Sequence, residues 1–307
     1  MLKELDNSNI SKHLGQTSQY KSTYDTSLLV REPRASNRTH LNIDDDTPPF
    51  KGYDIWNAYE FSCLCVSGTP ITGVAKIVYP ATNKYIVESK SLKLYFNSFN
   101  MEKYEGSVEE VISKVEAIMQ KDLSDLLETE VSVSIVPSGN EQPPYIPCFY
   151  QYNANYVTLE DIIDVSTLEC SIYNETPALL TGQWIVNELP SKEVYYHSCL
   201  LKSNCRVTSQ PDWGDVYIYY KGKCELLPES LLKYIVSFRN ECHFHEEICE
   251  TIYKRIWDSF EPEELAVTCL YARRGGVDIN PTRVSDDRLL DPCLVDNTIP
   301  HVKTLRQ

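Results

Sequence analysis

Apolar positions along the chain predict two stretches that each run in the order strand, strand, helix, strand. In the first, residues 72–80 and 84–96 carry the aromatic and β-branched residues of two strands joined by a short turn. A helix is predicted to begin at Ser107, because Glu110 completes a capping box and apolar residues then recur at helical spacing. Residues 129–138 alternate like a third strand.

The second stretch repeats this order without residue-level identity to the first. Residues 193–205 and 215–223 are strand-like, a helix is predicted from Pro228, and a second helix follows residues 244–247. Residues 265–279 return as a strand. Two such units favour an antiparallel sheet with helices on one face, an α+β architecture, and a structural duplication is a hypothesis from the element order alone.

Changes in composition divide the chain into four segments. Residues 1–50 are rich in Ser, Thr, Asn and Asp and predict an irregular N-terminal arm. Residues 51–140 predict an N-terminal module. Residues 141–190 predict a linker and connecting segment, which starts proline-rich and includes a strand-like run at residues 171–175. Residues 191–307 predict a C-terminal module.

Composition and charge narrow the class of protein. The chain has 307 residues, of which 42% are hydrophobic and 24% charged, which is typical of a globular protein. Its net charge of -15 argues against a nucleic-acid-binding surface, because phosphate binding needs clustered Lys and Arg, but it leaves room for a local basic pocket. The first residues lack the apolar core of a signal peptide, and no apolar run reaches the length of a membrane helix. We therefore expect a cytoplasmic protein that binds neither nucleic acid nor membrane.

The cysteines predict thiols rather than disulfides or a metal site. The chain has 11 cysteines, and in a cytoplasmic protein they are expected to be reduced. No pair has the CxxC spacing of a metal site. Cys63 and Cys65 lie in an alternating, strand-like run, where half-buried thiols are expected. No metal is therefore expected.

One cysteine differs from the others in its surroundings. Cys205 lies among polar turn residues in SNCRVTSQPDWGD, residues 203–215, and Asp212 follows seven positions later. A thiolate attacks electrophilic carbon, and a neighbouring carboxyl group can give or take the proton that such an attack moves. Taken alone, Asp212 fits better a turn aspartate after Pro211 that bonds to its own backbone, and Cys205 is one thiol among many.

Three segments together resemble one known family: VESKSLKLYFNSF at residues 87–99, SNCRVTSQPDWGD at 203–215 and SFRNECHFHEE at 237–247. They are similar to the NADPH-dependent 7-cyano-7-deazaguanine reductases, the nitrile reductases of queuosine biosynthesis, in their long form. Further segments that look like this family are residues 14–29, 52–60 and 273–281. The resemblance thus covers nearly the whole chain. It implies the tunnelling fold (T-fold), built from ββααββ-type units, as two tandem modules, and it implies a homodimer.

The resemblance implies nitrile reduction through a covalent intermediate. Cys205 matches the nucleophile that adds to the nitrile of the substrate and gives a thioimide. Asp212 matches the acid that protonates the nitrogen, and His245 matches a proton relay. Two NADPH would supply two hydrides and convert the nitrile into the aminomethyl group of 7-aminomethyl-7-deazaguanine. Arg206, next to the nucleophile, could lower the pKa of the thiol.

The same resemblance assigns the small-molecule substrate and NADPH to further residues. A carboxylate can accept two N–H bonds at once, which suits the amino-pyrimidinone edge of a deazaguanine, and Glu246 and Glu88 are assigned to that edge. The implied substrate-binding set is Val87, Glu88, Ser89, Phe244, His245 and Glu246. The implied NADPH-binding set is Ser89, Lys90, Arg274 and Gly275. No GxGxxG follows a strand, so a Rossmann motif would not hold the cofactor.

Individual residues also allow simpler interpretations. Glu88, Lys90 and Lys93 would fit a solvated strand face. His243 would fit a surface histidine or a satisfied core histidine. Phe244 could stack on the heterocycle or simply pack against its neighbours.

Two rival functions remain open on the sequence. A cysteine-dependent hydrolase of a nitrile or cyclic amidine would share Cys205 and a carboxylate but would not consume NADPH. A non-catalytic purine-binding module would tolerate the loss of Cys205. An enzyme that acts on tRNA itself is disfavoured by the net charge, and the resemblance implies the free base as substrate.

Overall fold

The computed structural model describes residues 23–139, 155–185, 189–206, 208–298 and 303–307. The beginning of the predicted arm and the proline-rich beginning of the predicted linker lie outside these ranges. Across the described ranges, no helix has the length and apolar character needed to cross a membrane. The same ranges contain no group of three or more His, Cys, Asp or Glu side chains that could hold a metal ion.

The first half of the chain contains the predicted hairpin and long helix. Its strands are β1 (Arg31–Pro33), β2 (Lys51–Cys65), β3 (Pro70–Pro80), β4 (Tyr85–Val87), β5 (Lys103–Tyr104) and β6 (Ser132–Pro137). Its helices are α1 (Ala35–Arg38), α2 (Ser89–Ser98) and α3 (Val108–Leu127). The capping box of α3 is confirmed, because the Ser107 side chain accepts from the Glu110 N–H and the Glu110 carboxylate accepts from the Ser107 N–H.

The second half contains the two predicted helices between two pairs of long strands. Its strands are β7 (Val157–Thr158), β8 (Gly182–Trp184), β9 (Lys192–Asn204), β10 (Pro211–Gly222), β11 (Cys224–Leu226), β12 (Glu264–Tyr271) and β13 (Val277–Val284). Its helices are α4 (Leu159–Ile162), α5 (Pro228–Ser237), α6 (His245–Phe260) and α7 (Pro292–Val295). Helix α5 begins at Pro228 as predicted. The apolar residues spaced four apart on α6 are buried, namely Ile248, Ile252 and Ile256.

One sheet runs through both halves of the chain. Its strand order is β6-β3-β2-β13-β12-β10-β9-β7, with β5 beside the end of β2. All neighbours are antiparallel except the two-residue strands β5 and β7. The halves join where β2 pairs with β13, with Ala58 opposite Val277 and Lys51 opposite Val284. If the three-residue strand β11 is left out, the order β9-β10-α5-α6-β12-β13 is the ββααββ order that the resemblance implies.

The four long helices, α2, α3, α5 and α6, cover one face of this sheet. Alternate side chains of β10 (Val216, Ile218 and Tyr220) pack with α5 and α6 in one core. Helices α2 and α3 cover β2, β3 and β6 in a second core. Tyr217 and Tyr219 belong instead to smaller clusters on the opposite face. The predicted α+β class, an antiparallel sheet with helices on one face, is therefore confirmed.

The prediction of a single strand over residues 84–96 is wrong. Strand β4 ends at Val87, and α2 follows because the Glu88 carboxylate accepts the N–H groups of Lys90 and Ser91 at 2.9 and 2.7 Å. The apolar residues that follow are buried at helical spacing, namely Leu92, Tyr95, Phe96 and Phe99. Glu88, Lys90 and Lys93 therefore do not lie on a solvated strand.

Three smaller expectations also need correction. Residues 171–175 form no strand. Residues 265–279 form two strands rather than one, because Gly275 and Gly276 have positive φ values of 55° and 74° that turn the chain between β12 and β13. Asp212 is not a turn aspartate, since it lies within β10.

A buried network of charges joins the arm, both halves of the sheet and helix α6. Glu250 on α6 accepts from Arg38 at 2.8 Å and from Arg283 at 3.0 Å. Asp54 on β2 pairs with Arg34 and, at 2.8 Å, with Arg283. None of these five side chains is more than 3% exposed. Because a buried charge without its partner is costly, the network holds these four parts of the chain in one arrangement.

We expect Glu250→Gln to lower the free energy of unfolding by about 3–5 kcal/mol, because it leaves buried guanidinium groups without their carboxylate. Burial alone would raise the pKa of Glu250, but the charges of Arg283 and Arg38 lower it to about 2. A depressed pKa means that the contribution is present above pH 4.5 and is lost as the pH falls towards 2. Urea unfolding of the wild type and of Glu250→Gln between pH 7 and pH 3 measures this loss.

The control is Asp258→Asn, which removes an exposed ion pair with Lys254 at the other end of α6. Surface pairs of this kind contribute about 0–1 kcal/mol. Equal losses in the two variants would contradict a special role of the buried network.

Candidate active site

A cavity of about 190 Å³ lies where the start of α2, the loop after β9 and the start of α6 meet. The predicted site residues that line it are Val87, Glu88, Ser89, Lys90, Cys205, Asp212, Phe244, His245, Glu246 and Arg274. Gly275 follows Arg274 in the turn between β12 and β13. Lining residues that were not predicted are Trp56, Lys93, Thr208, His243, Val277 and Ile279. The fold thus brings the predicted residues together from distant segments, while their chemical roles stay predictions.

The predicted nucleophile lies in a closed loop at the end of β9. Cys205 is the first residue after that strand, and its N–H donates to the carbonyl oxygen of Gln210 at 2.8 Å. The N–H of Ser209 donates back to the carbonyl oxygen of Cys205 at 3.0 Å. The cysteine is half-buried and lines the cavity. It does so from a short loop whose two ends are joined by these hydrogen bonds.

Arg206, which was expected to lower the pKa of the Cys205 thiol, contacts a carboxylate and an aromatic ring. Its Nη1 donates to Glu247 Oε1 at 3.0 Å, and its guanidinium lies 5.6 Å from the centre of the Phe244 ring. Arg274 and Lys93 both interact with Cys205. Burial opposes the charge of Arg274, but Asp212 and then Cys205 raise the pKa of its guanidinium.

Asp212 is held as a carboxylate by two partners. It is 4% exposed, it pairs with Arg274, and its Oδ2 lies 3.4 Å from Nε2 of His245. Burial would raise the pKa of Asp212, but the hydrogen bond and charge of His245, and then those of Arg274, outweigh it and lower the pKa below its usual value. Asp212 is therefore ionised at neutral pH.

His245 is the first residue of α6, and its ring is held by two neighbours. Its ring stacks on Tyr271 with centroids 3.8 Å apart and planes 9° apart. Its Nε2 faces Asp212 at 3.4 Å. Its Nδ1 is buried and has no hydrogen-bond partner among the described residues. A buried ring nitrogen without a partner is a position that a ligand or a water molecule can satisfy.

Glu246 presents a buried carboxyl group that also needs a partner. It is 2% exposed, and among the described residues its Oε1 makes no hydrogen bond. Burial and then the charge of Asp54 raise the pKa of Glu246 to about 8, although Arg34 and Arg283 oppose this. The free protein at neutral pH therefore holds a mostly neutral Glu246 that can ionise when a ligand offers N–H donors.

Glu88 already makes hydrogen bonds within the protein. It is 2% exposed, and its two oxygens accept from the first N–H groups of α2, those of Lys90 and Ser91. Its lining position leaves a place for the substrate beside it, but its first role is to cap α2. That cap fixes Ser89 and Lys90 at the start of the helix, where they face the cavity.

Three cations gather at one side of the cavity. Lys90 and Lys93 are three residues apart on α2 and so lie on one helix face, and Arg274 approaches from the turn between β12 and β13. Burial and then the charge of Arg274 lower the pKa of Lys93. A Cβ atom at Gly275 would lie 3.4 Å from the Lys93 side chain. The spacing of the two lysines would have revealed Lys93 had α2 been predicted as a helix.

His243 is half-buried, and both of its ring nitrogens have hydrogen-bond partners. It lines the cavity, and carboxylates face both of its ring nitrogens: Glu241 at Nε2 and Glu247 at Nδ1, each at 3.2 Å. Burial would lower the pKa of His243, but these hydrogen bonds raise it to about 9. No local pattern in the sequence separates this histidine from His245, since both precede an acidic helix start.

Two family models match the chain. “Nitrile reductase, 7-cyano-7-deazaguanine-reductase N-term” matches residues 20–135, and “QueF-like protein” matches residues 211–289. A Legionella pneumophila (strain Paris) protein named NADPH-dependent 7-cyano-7-deazaguanine reductase is 40% identical over 296 residues, which cover 96% of this chain and 94% of the relative. The chain belongs to the family of 7-cyano-7-deazaguanine nitrile reductases. A protein of the same name from Rickettsia akari (strain Hartford) is 40% identical over 273 residues, which cover 89% of this chain and 92% of the relative.

Among solved structures, the chain is similar to the crystal structure of the archaeosine synthase QueF-Like in the apo form. The sequence identity is 18% and the TM-score 0.28, over 32% of this chain and 95% of that one. This likeness is too weak to bear on the fold or the site.

The family match covers most of the cavity. The first matched range includes Glu88 and Lys90, and the second includes Asp212, Glu246 and Arg274. Cys205 lies between the two ranges, so its assignment rests on its place in the cavity beside Asp212 and Arg274.

Proposed function

We propose that this protein reduces the nitrile of 7-cyano-7-deazaguanine to the aminomethyl group of 7-aminomethyl-7-deazaguanine, with NADPH as the reductant, in queuosine biosynthesis. The observation that carries the proposal is a single cavity that combines a thiol, an ionised carboxylate and a buried carboxyl group without a partner. Membership of the nitrile reductase family, whose curated members named above are NADPH-dependent, supports the choice of reaction.

The substrate is proposed to bind with its pyrimidinone edge against Glu246. That edge offers a ring N–H and an exocyclic amine, and an ionised Glu246 accepts both. Oε1 of Glu246, which is buried without a hydrogen bond among the described residues, supports this orientation. Val87, Glu88, Ser89 and Phe244 line the same space and would contact the heterocycle.

Cys205 is proposed to attack the nitrile carbon, so that a carbon–sulfur bond forms while one C–N π bond breaks. The thiol proton has to reach the nitrile nitrogen. Because Arg274 and His245 hold Asp212 ionised, Asp212 takes the proton from the thiol and then gives it to the nitrogen. It therefore acts first as a base, which refines the expectation that it serves as an acid. The product of this step is a neutral thioimide.

Reduction of a nitrile to an amine takes four electrons, which two NADPH molecules, bound one after the other, would supply as two hydrides. The residues proposed to hold NADPH are Ser89, Lys90, Lys93, Arg274 and Gly275. The lowered pKa of Lys93 beside Arg274 supports this, because an anionic phosphate would relieve the repulsion between two crowded cations. Gly275 lies beside Lys93 in this turn, and its positive φ of 55° favours glycine there.

His245 is proposed to relay the protons that the two reductions require. It contacts Asp212 through Nε2 and leaves Nδ1 available inside the cavity. After the first reduction, the carbon–sulfur bond breaks, the thiolate leaves and an imine forms. The second reduction requires the imine to be held away from water, so we expect the cavity to close on its ligand.

We further propose that the protein works on the free base in the cytoplasm as a homodimer, without nucleic acid or membrane. Support comes from the family resemblance and from the net charge of -15, which disfavours phosphate-rich surfaces.

Protein mixed with 7-cyano-7-deazaguanine in the absence of NADPH is expected to gain the mass of one substrate molecule at Cys205. Intact mass and peptide mapping measure this adduct. Added NADPH should discharge it, with two NADPH oxidised per amine formed. Cys205→Ala should give no adduct, whereas Cys199→Ala, which alters a half-buried thiol outside the cavity, should behave like the wild type.

Other results of this experiment would select the rival functions. Release of an acid or amide without NADPH would identify a cysteine-dependent hydrolase. Tight binding of the base with neither adduct nor NADPH oxidation would identify a purine-binding module.

Substrate binding is expected to tighten as the pH rises towards 8. The raised pKa of Glu246 means that binding must ionise this group. Below pH 8 the Kd should therefore increase by about tenfold for each unit by which the pH falls. Above pH 8 the Kd should level off. Calorimetry with the Cys205→Ala variant measures binding without adduct formation, and Glu246→Gln should weaken binding and abolish this dependence. A flat profile in the Cys205→Ala protein would contradict the role of Glu246.

Asp212→Asn is expected to slow adduct formation by about 10²–10⁴-fold, because an amide cannot carry the thiol proton. The Kd of the substrate should change little, since Asp212 does not contact the pyrimidinone edge in this proposal. Stopped-flow absorbance measures the adduct rate. Asp215→Asn is the matched control, because Asp215 lies on the same strand and pairs with His197 outside the cavity. Similar rates in the two variants would rule out proton transfer through Asp212.

A further inference from the structure

A chain of charged side chains borders the cavity, and the proposed chemistry does not use it. It consists of Arg206, Glu247, His243 and Glu241. The Glu247 side chain is 5% exposed, and its Oε1 accepts from Arg206 Nη1 at 3.0 Å. Its Oε2 accepts from the N–H of Phe244 at 3.0 Å and faces His243 Nδ1 at 3.2 Å. One carboxylate thus binds the loop after β9 and the segment that enters α6.

His243 is doubly protonated in this arrangement. Each of its ring nitrogens faces a carboxylate, Glu241 or Glu247, and a carboxylate only accepts hydrogen bonds. Both nitrogens must therefore carry a hydrogen, in agreement with the raised pKa of His243. The charges alternate in sign from Glu241 to Arg206. Glu32 on β1 also faces Arg206 and Glu247, and burial is the main cause that raises the pKa of this carboxyl group.

The two ends of this chain carry different parts of the site. Arg206 directly follows Cys205, the proposed nucleophile. His243 and Glu247 flank residues 244–246, the proposed recognition segment. The pair Arg206–Glu247 therefore connects the group that attacks the nitrile with the groups that hold the ring.

Other contacts hold the Cys205 loop at different points. The backbone N–H of Asn204 bonds to the segment before α6, but this contact ends one residue before the nucleophile. Arg274 binds Gln210 at 2.6 Å and Thr208 at 3.4 Å, towards the far end of the loop. The contact of Arg206 with Glu247 joins the residue next to the nucleophile to α6.

We propose that Glu247 and His243 are positioning residues that hold the Cys205 loop in register with the recognition segment. The inference rests on the proposed function, because it concerns the distance between the attacking sulfur and a ring bound at Glu246. Misplacement of a reacting atom by about 1 Å can cost about 10²-fold in rate. Loss of this contact should therefore slow bond formation more than it weakens binding.

Glu247→Gln and Arg206→Gln are expected to slow adduct formation at saturating substrate by about ten- to a hundredfold. The Kd of the substrate, measured for each change in a Cys205→Ala background, should rise by less than about threefold. The double variant Arg206→Gln/Glu247→Gln should be no slower than either single variant, because both changes remove one interaction. His243→Gln should also slow the adduct, since it removes the charge that holds Glu247.

Two controls separate positioning from a general loss of structure. Arg206→Lys keeps the charge and should recover most of the rate, and the Arg206 side chain is 40% exposed, so its variants do not threaten folding. Asp258→Asn removes an ion pair at the other end of α6 and should leave the adduct rate unchanged. Wild-type rates in Arg206→Gln and Glu247→Gln, or multiplying defects in the double variant, would overturn the inference. Failure of the wild type to form an adduct would overturn the proposed function itself and would be seen before any variant is compared.

Discussion

The buried pairing of three arginines with Asp54 and Glu250 is the interaction on which the rest of the structure depends. The two carboxylates lie on β2 and α6, and the arginines come from the arm and from β13. Arg34 and Glu250 are 216 residues apart in sequence. The network therefore forms only when β2, near the start of the chain, has paired with β13, near its end. The cost of leaving any of these charges alone in the core then favours a single arrangement of the two halves.

The same network sets the electrostatics of the cavity. Glu246 lies one helical turn before Glu250 on α6, so the helix that anchors the network also carries the proposed recognition group. Burial is the main cause that raises the pKa of Glu246; Asp54 raises it further, whereas Arg34 and Arg283 lower it. The charge of the proposed recognition group is therefore adjusted by residues that line no part of the cavity.

Two carboxyl groups in one cavity have opposite protonation states, and the environment of each explains why. Asp212 is surrounded by Arg274 and His245, which stabilise its ionised form. Glu246 is buried with a carboxylate as its nearest strong influence, which favours its neutral form. Groups of the same chemical type can thus serve proton transfer and ligand recognition, because burial and neighbouring charge shift their pKa values in opposite directions.

The sequence by itself determined the features that depend on near neighbours in the chain. The capping box at Ser107, the start of α5 at Pro228 and the alternation of β6 are local patterns, and the structure contains each of them. The segments that resemble the nitrile reductases contain every predicted residue that lines the cavity. Local rules apply to these features because capping and side-chain alternation act within a few residues.

Tertiary structure decided what depends on burial and on distant partners. Helix α2 was missed because aromatic residues fit a strand as well as a helix, and only packing against the β2–β3 hairpin buries one helical face. The merging of both halves into one sheet depends on the pairing of β2 with β13, which no local pattern encodes. The partners of Arg206 and His243 likewise follow from the approach of the β9 loop to α6. These contacts join residues far apart in sequence, so their geometry and charge exist only in the folded chain.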